Sequence, residues 1–159
     1  MDSISASFLL VFILPIVLYV LTSNLNYLAL FIAVFLFGGM IEFIKLLLGT
    51  DGKYARPSSA CQCDLLCVSV DDGGKPGYPS GHVAISTFFI GTLSVVLMNQ
   101  GSPYVGYSVF LMGLVWIYHI GQSRLQKQCH TLEQVVAGFL AGIVGAVSYV
   151  WTLYVLHLI

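Results

Sequence analysis

Five apolar runs alternate with short polar links and one long polar segment. The first run, Ala6–Thr22, is interrupted only by Pro15, which a membrane bundle tolerates as a kink. Ser23–Asn26 turns the chain into a second run, Tyr27–Leu48, whose far end carries Glu42 and Lys45. Residues 49–80 form a long polar loop containing Gly, Pro, Ser, Asp and Lys. A third run, Val83–Met98, passes through Asn99–Pro103 into a fourth, Tyr104–Ile120, and Gly121–Cys129 leads to a fifth, Leu132–Leu156. Apolar runs of about 17–25 residues cross a bilayer as helices. The pattern predicts an all-α integral membrane bundle of about five transmembrane helices, in one domain spanning 1–159.

Composition agrees with that reading. Hydrophobic residues make up 58% of the 159-residue chain and charged residues 8%, with mean hydropathy +0.92. A soluble domain carries roughly 25% charged residues, so this chain lacks the polar surface to face water. The start, Met1–Ser5, has no basic segment ahead of the first run, which favours a retained membrane helix over a cleaved signal. Net charge is −1 and no basic stripe occurs, so nucleic acid is not expected as a partner.

Helix parity sorts the polar residues. With five spans, the long loop and the link before the fifth run fall on the same membrane face. All six basic residues, Lys45, Lys53, Arg56, Lys75, Arg124 and Lys127, lie on that face. The positive-inside rule would put this face in the cytoplasm. A phosphate site would concentrate basic residues for its own reasons, and five acidic residues accompany them, so the side stays open.

Three clusters meet there: Lys45 with Arg56-Pro57, then Pro79-Ser80-Gly81-His82, then Ser123-Arg124 with His130. Ser80 can cap the third helix, and Gly81 lets its backbone N–H groups approach an anion. Arg56 and Arg124 offer planar forks that match phosphate oxygens, and Lys45 a point charge. Two histidines beside such a cradle suggest a nucleophile and a general acid.

The order Lys…Arg-Pro, Pro-Ser-Gly-His, and Ser-Arg followed five residues later by His resembles the type 2 phosphatidic acid phosphatase superfamily. The resemblance covers about residues 42–142. His130-Thr131 followed by Gln134-Val135 is similar to the dolichyl diphosphatase branch. The resemblance implies a PAP2/haloperoxidase-like bundle and a phosphatase that uses neither metal nor cofactor. His130 would attack phosphorus, and His82 would protonate the leaving oxygen and then activate water. Lys45, Arg56, Ser80, Gly81 and Arg124 would hold the phosphate oxygens. It also implies a lipid phosphate or diphosphate as substrate, and a multi-pass protein of the endoplasmic reticulum or another internal membrane.

Two departures from the family pattern stand out. Lys45 lies eleven residues before Arg56 rather than seven, as if four residues were inserted within Thr50–Ala55, with a turn at Asp51-Gly52. Lys53 is therefore an alternative phosphate ligand to Lys45, although a helix end fixes a side chain better than a loop does. Gln134 stands where most of the family has Asp. One helical turn beyond His130 it can orient the ring without supplying charge, and Glu133 is a second candidate for that task.

Glu42 is expected either to pair with Lys45 within the helix or to orient it for phosphate. The spacing of Cys61, Cys63 and Cys67 is not a zinc pattern. Cys129, next to His130, could tie the third cluster to the long loop by a disulfide, whereas a cytosolic face would keep the thiols free. Gly138, Gly142 and Gly145 suit close helix packing, inside the bundle or, as the alternative, in a homo-oligomer. The expected function is removal of phosphate from a polyisoprenyl diphosphate or a related lipid phosphate. A phosphatidate or lysophosphatidate phosphatase is the alternative enzyme, and a non-catalytic lipid-phosphate binder the alternative of another class.

Overall fold

The computed structural model describes residues 7–60, 63 and 72–158. Cys61 and Cys67 lie outside them. Five helices follow in order: α1 (Leu10–Thr22), α2 (Leu25–Leu48), α3 (Gly81–Asn99), α4 (Pro103–Gln126) and α5 (Leu132–Val155). Helices α2 to α5 are long and apolar enough to cross a membrane. The protein is therefore a multi-pass membrane bundle. Among the described residues α1 is a shorter apolar helix, of 13 residues. The parity of the other four is unaffected.

Helix ends follow local chemistry. Asn24 starts α2 by accepting from the Asn26 N–H at 2.9 Å, and Gly49, at φ +69°, ends it. Pro103 occupies the first turn of α4, where its missing N–H costs nothing. Thr131 and Gln134 form a reciprocal capping box that starts α5. The Thr-x-x-Gln spacing is a helix-start signature legible in the sequence.

Helix α3 is the axis of the bundle. Of its membrane-length window 72% is buried, whereas the other long helices bury a third or less. Being apolar on all sides, it suits a central position. Phe88 stacks on Phe37 of α2, with ring centroids 4.4 Å apart. Helix α5 approaches α3 by its glycines. A Cβ at Gly138 would lie 2.5 Å from the Ser80 carbonyl oxygen, and one at Gly142 would lie 2.5 Å from that of Ala84. At Gly145 a Cβ would run into the Phe37 ring. The glycine stripe is thus used inside the bundle, the internal alternative of the two expected.

Helices α4 and α5 scarcely touch each other. Between them and α3 runs an apolar groove of about 690 Å³, lined by Ile90, Leu114, Phe139 and Trp151 among others. A second groove of about 690 Å³ runs along the other flank of α5, against α2 and α3, past Met40, Ile44, Leu140 and Val144.

Candidate functional site

The long loop folds back over one end of the bundle. Its first part carries a single 3-10 turn, Gly52–Tyr54, at the place where an inserted turn was expected. The Arg56 N–H donates to the Lys75 carbonyl at 2.8 Å, and Gly77 N–H to that of Tyr54 at 2.8 Å, so the two ends of the loop pair. A Cβ at Gly77 would meet Arg56 Cγ at 2.8 Å and Gln134 Oε1 at 3.0 Å. Glycine there lets the loop lie directly on the start of α5.

Lys45 is 5% exposed and donates to Glu42 Oε1 at 2.6 Å, so the intrahelical pair forms. Its Nζ lies 3.0 Å from where a Cβ on Gly81 would be, which places the ammonium at the start of α3. Lys53 behaves differently. Its side chain is exposed, with Nζ 5.5 Å from the ring centre of Tyr54, and only its backbone carbonyl turns inward. The structure thus brings Lys45, not the Lys53 side chain, to the α3 start.

Ser80 is the N-cap residue of α3 by position, but its side chain makes no capping hydrogen bond. That corrects the capping expectation. The Oγ is instead buried without a partner, as is His82 Nε2. Buried polar atoms are nearly always paired, so two such atoms within the first turn of α3 are suited to meeting an anion there. His82 also packs against Phe8, ring centroids 4.4 Å apart at 39°. Nothing in the sequence pointed to Phe8.

Arg124, 1% exposed, sits in the last turn of α4 and donates from Nη1 to the Cys63 carbonyl at 3.3 Å. Cys63 is disulfide-bonded to Cys129, with Cα atoms 5.5 Å apart across 66 residues of sequence. The tie between the third cluster and the long loop therefore exists, with Cys63 as its loop end.

His130 follows Cys129 and is 5% exposed. Its Nδ1 lies 3.0 Å from Gln134 Oε1. Gln134 is fully buried, and its Nε2 donates to the carbonyls of Ala55 at 2.7 Å and Lys53 at 2.9 Å. Those two bonds fix which end of the amide is which, because an oxygen in that place would face two other oxygens. Oε1 must then accept, so His130 carries its proton on Nδ1 and leaves the Nε2 lone pair unprotonated. Glu133 is exposed and makes no hydrogen bond or ion pair among the described residues. The orienting contact belongs to Gln134.

Burial lowers the His130 pKa to about 3. The Gln134 hydrogen bond opposes that shift, and the charges of Arg56, Lys45 and Arg124 add to it. The same three cations, with His130, act electrostatically on His82. The three sequence clusters thus form one cationic pocket with both imidazoles in it. Among the described residues, no group of His, Cys, Asp and Glu could hold a metal ion.

Asp72 was missed in the sequence. It is fully buried, 3.5 Å from Arg56 Nη1 and 2.9 Å from Lys75 Nζ, and its Oδ2 accepts from the Cys63 N–H at 2.8 Å. One Asp of an adjacent pair in a polar loop carries no signal of burial.

A family model described as the PAP2 superfamily matches residues 26–157. No curated protein and no solved structure matches the chain. The match takes in all three clusters and leaves α1, with Phe8, outside it.

Proposed function

Since the chain belongs to the PAP2 superfamily, a family of phosphatases, we propose that it removes a phosphate from a polyisoprenyl diphosphate or related lipid phosphate without a metal. One observation carries this reading. Ser80 Oγ and His82 Nε2 are buried and unpartnered in a pocket charged by Lys45, Arg56 and Arg124. Cations and preset donors suit a group whose charge is spread over phosphoryl oxygens.

The unprotonated Nε2 supports His130 as nucleophile, and the family resemblance supports His82 as the acid and base. His130 Nε2 attacks phosphorus, the bond to the leaving oxygen breaks, and protonated His82 gives that oxygen its proton. A phosphohistidine remains. His82 then takes a proton from water, whose oxygen attacks phosphorus as the N–P bond breaks. Inorganic phosphate leaves and His130 is restored. The similarity of His130–Val135 to dolichyl diphosphatases supports the diphosphate substrate, and the apolar grooves beside α5 suit a long tail. The disulfide supports a catalytic face in an oxidising compartment, such as the lumen of an internal membrane system.

The test is phosphate release by purified protein in detergent with EDTA present, offered dolichyl diphosphate or phosphatidate. Turnover of the diphosphate that is lost in His130→Ala is expected. Preference for phosphatidate would reassign the substrate, and release from neither would leave a lipid-phosphate binder. A requirement for added magnesium would refute the histidine mechanism.

A further inference from the structure

Cys63 is a residue of the long loop with three attachments, each leading to a different part of the pocket. Its N–H donates to Asp72 Oδ2, and the other oxygen of that carboxylate faces Arg56 at 3.5 Å. Its carbonyl accepts from Arg124 Nη1 at 3.3 Å. Its sulfur is bonded to Cys129, the neighbour of His130. Arg56 comes from the loop, Arg124 from the end of α4, and His130 from the link before α5. Cys63 therefore reaches Arg124 directly, Arg56 through Asp72 and His130 through Cys129.

We propose that Asp72 and Cys63 are positioning residues: a buried knot, closed by the Cys63–Cys129 disulfide, that holds Arg56, Arg124 and His130 in phosphate-binding register. The inference rests on the pocket being a phosphate site, as argued above.

Asp72 is suited to the task. A carboxylate with no exposure is costly unless charge and hydrogen bonds compensate it, and Arg56, Lys75 and the Cys63 N–H do so here. Lys45, Arg56 and Arg124 repel one another when no anion is bound. A fixed carboxylate behind Arg56 offsets that repulsion and anchors the guanidinium against turning out toward water. The disulfide makes the same arrangement on the other side, because Cys63 cannot leave Arg124 without dragging Cys129 and the His130 backbone with it.

The electrostatics give a test in which positioning and bulk charge predict opposite signs. Asp72→Asn keeps the side-chain shape and removes one negative charge near the pocket. Bulk charge alone would tighten anion binding. Loss of this ion-pair anchor would weaken it, by about 10- to 100-fold.

The experiment measures inorganic phosphate binding to detergent-purified full-length protein by thermal shift, independent of turnover. Weaker phosphate binding by Asp72→Asn is expected, with recovery in Asp72→Glu. In an Arg56→Ala background the Asp72 substitution should add little, because both act through one group. In the wild type, a dithiol that converts the disulfide to two thiols and is itself oxidised to a disulfide should weaken binding about tenfold or more. Reoxidation should restore it, and Cys63→Ser should bind weakly and ignore the reductant.

Unchanged or tighter binding by Asp72→Asn overturns the proposal, as does wild-type affinity after confirmed reduction. Should Asp72→Asn fail to fold, the reductant series on the wild type decides alone. Wild-type protein that binds no phosphate at all would instead overturn the phosphatase reading, and this inference with it.

Discussion

Gln134→Glu sets a carboxylate, a stronger acceptor, beside His130, the nucleophile proposed above, and it should nevertheless reduce activity. The Gln134 amide does two things at once. Oε1 accepts from His130 Nδ1 at 3.0 Å and from the Thr131 N–H at 3.3 Å, while Nε2 donates to Ala55 and Lys53 at 2.7 and 2.9 Å. A glutamate keeps the first pair and reverses the second, setting a carboxylate oxygen against two carbonyl oxygens. Each of the two carbonyls left without its donor costs about 1.5–2 kcal/mol, within the range for an unsatisfied polar group. The loop must then shift, and Arg56 is the residue after Ala55. A total near 3–4 kcal/mol, felt where the phosphate binds, corresponds to about a 10²- to 10³-fold loss in kcat/KM at 1.36 kcal/mol per tenfold. The measurement is kcat/KM for the preferred substrate together with the unfolding midpoint in detergent, for Gln134→Glu and Gln134→Leu. Both should fall, because the leucine abolishes the donors and the acceptor together. A Gln134→Glu enzyme as stable and active as the wild type would refute the reasoning, since the Ala55 and Lys53 carbonyls would then not matter.

Three other outcomes follow from the geometry. Lys45→Met should raise KM at least about tenfold, as loss of a buried charged hydrogen-bond donor does, while Lys53→Met should change it less than about twofold; steady-state kinetics on the pair decides. His130 has its pKa lowered to about 3, so in the free enzyme its ring is neutral above that value and charges only as pH falls through it. NMR of ring-labelled His130 between pH 4 and 8 should show no titration, and a step near 6.5 would contradict the burial argument. Gly138→Ala puts a methyl 2.5 Å from the Ser80 carbonyl oxygen; the overpacking should cost about 1–3 kcal/mol, read as a lower unfolding midpoint, with a fall in kcat because α3 and α5 carry the two histidines at their starts.

Much of the fold could be read from the sequence because the bilayer imposes a coarse signal. The runs Tyr27–Leu48, Val83–Met98 and Leu132–Leu156 match α2, α3 and α5 closely, since apolar residues stop where water begins. Helix α4 continues past Ile120 to Gln126, as the polar residues Gln122, Ser123 and Arg124 complete its last turns at the pocket. The histidines, arginines and Lys45 were legible because charges inside or beside an apolar run need a reason. The supports behind them were not. Gln134 acts on backbone carbonyls, which every residue has, so sequence could not foresee its partners. Asp72 reaches Arg56 only because the loop doubles back. Phe8 was one of three aromatic residues in the run Ala6–Thr22, and its contact with His82 comes from the turn just before α1. Ser80 misled for a physical reason too: a serine at a helix start ordinarily caps, and this one leaves its hydroxyl for something else.

The gap between α4 and α5 bears on how a reaction here would end. A lipid phosphatase makes two products with opposite solvent preferences, an anion for water and a chain for hydrocarbon. The cationic pocket lies at one end of the bundle, beside the polar loop, whereas both grooves along α5 are walled mainly by apolar side chains. For such a substrate the phosphate would depart along the bundle axis and the lipid at right angles to it. Neither product would then stand in the other's exit, and the chain would diffuse in two dimensions from first encounter to release.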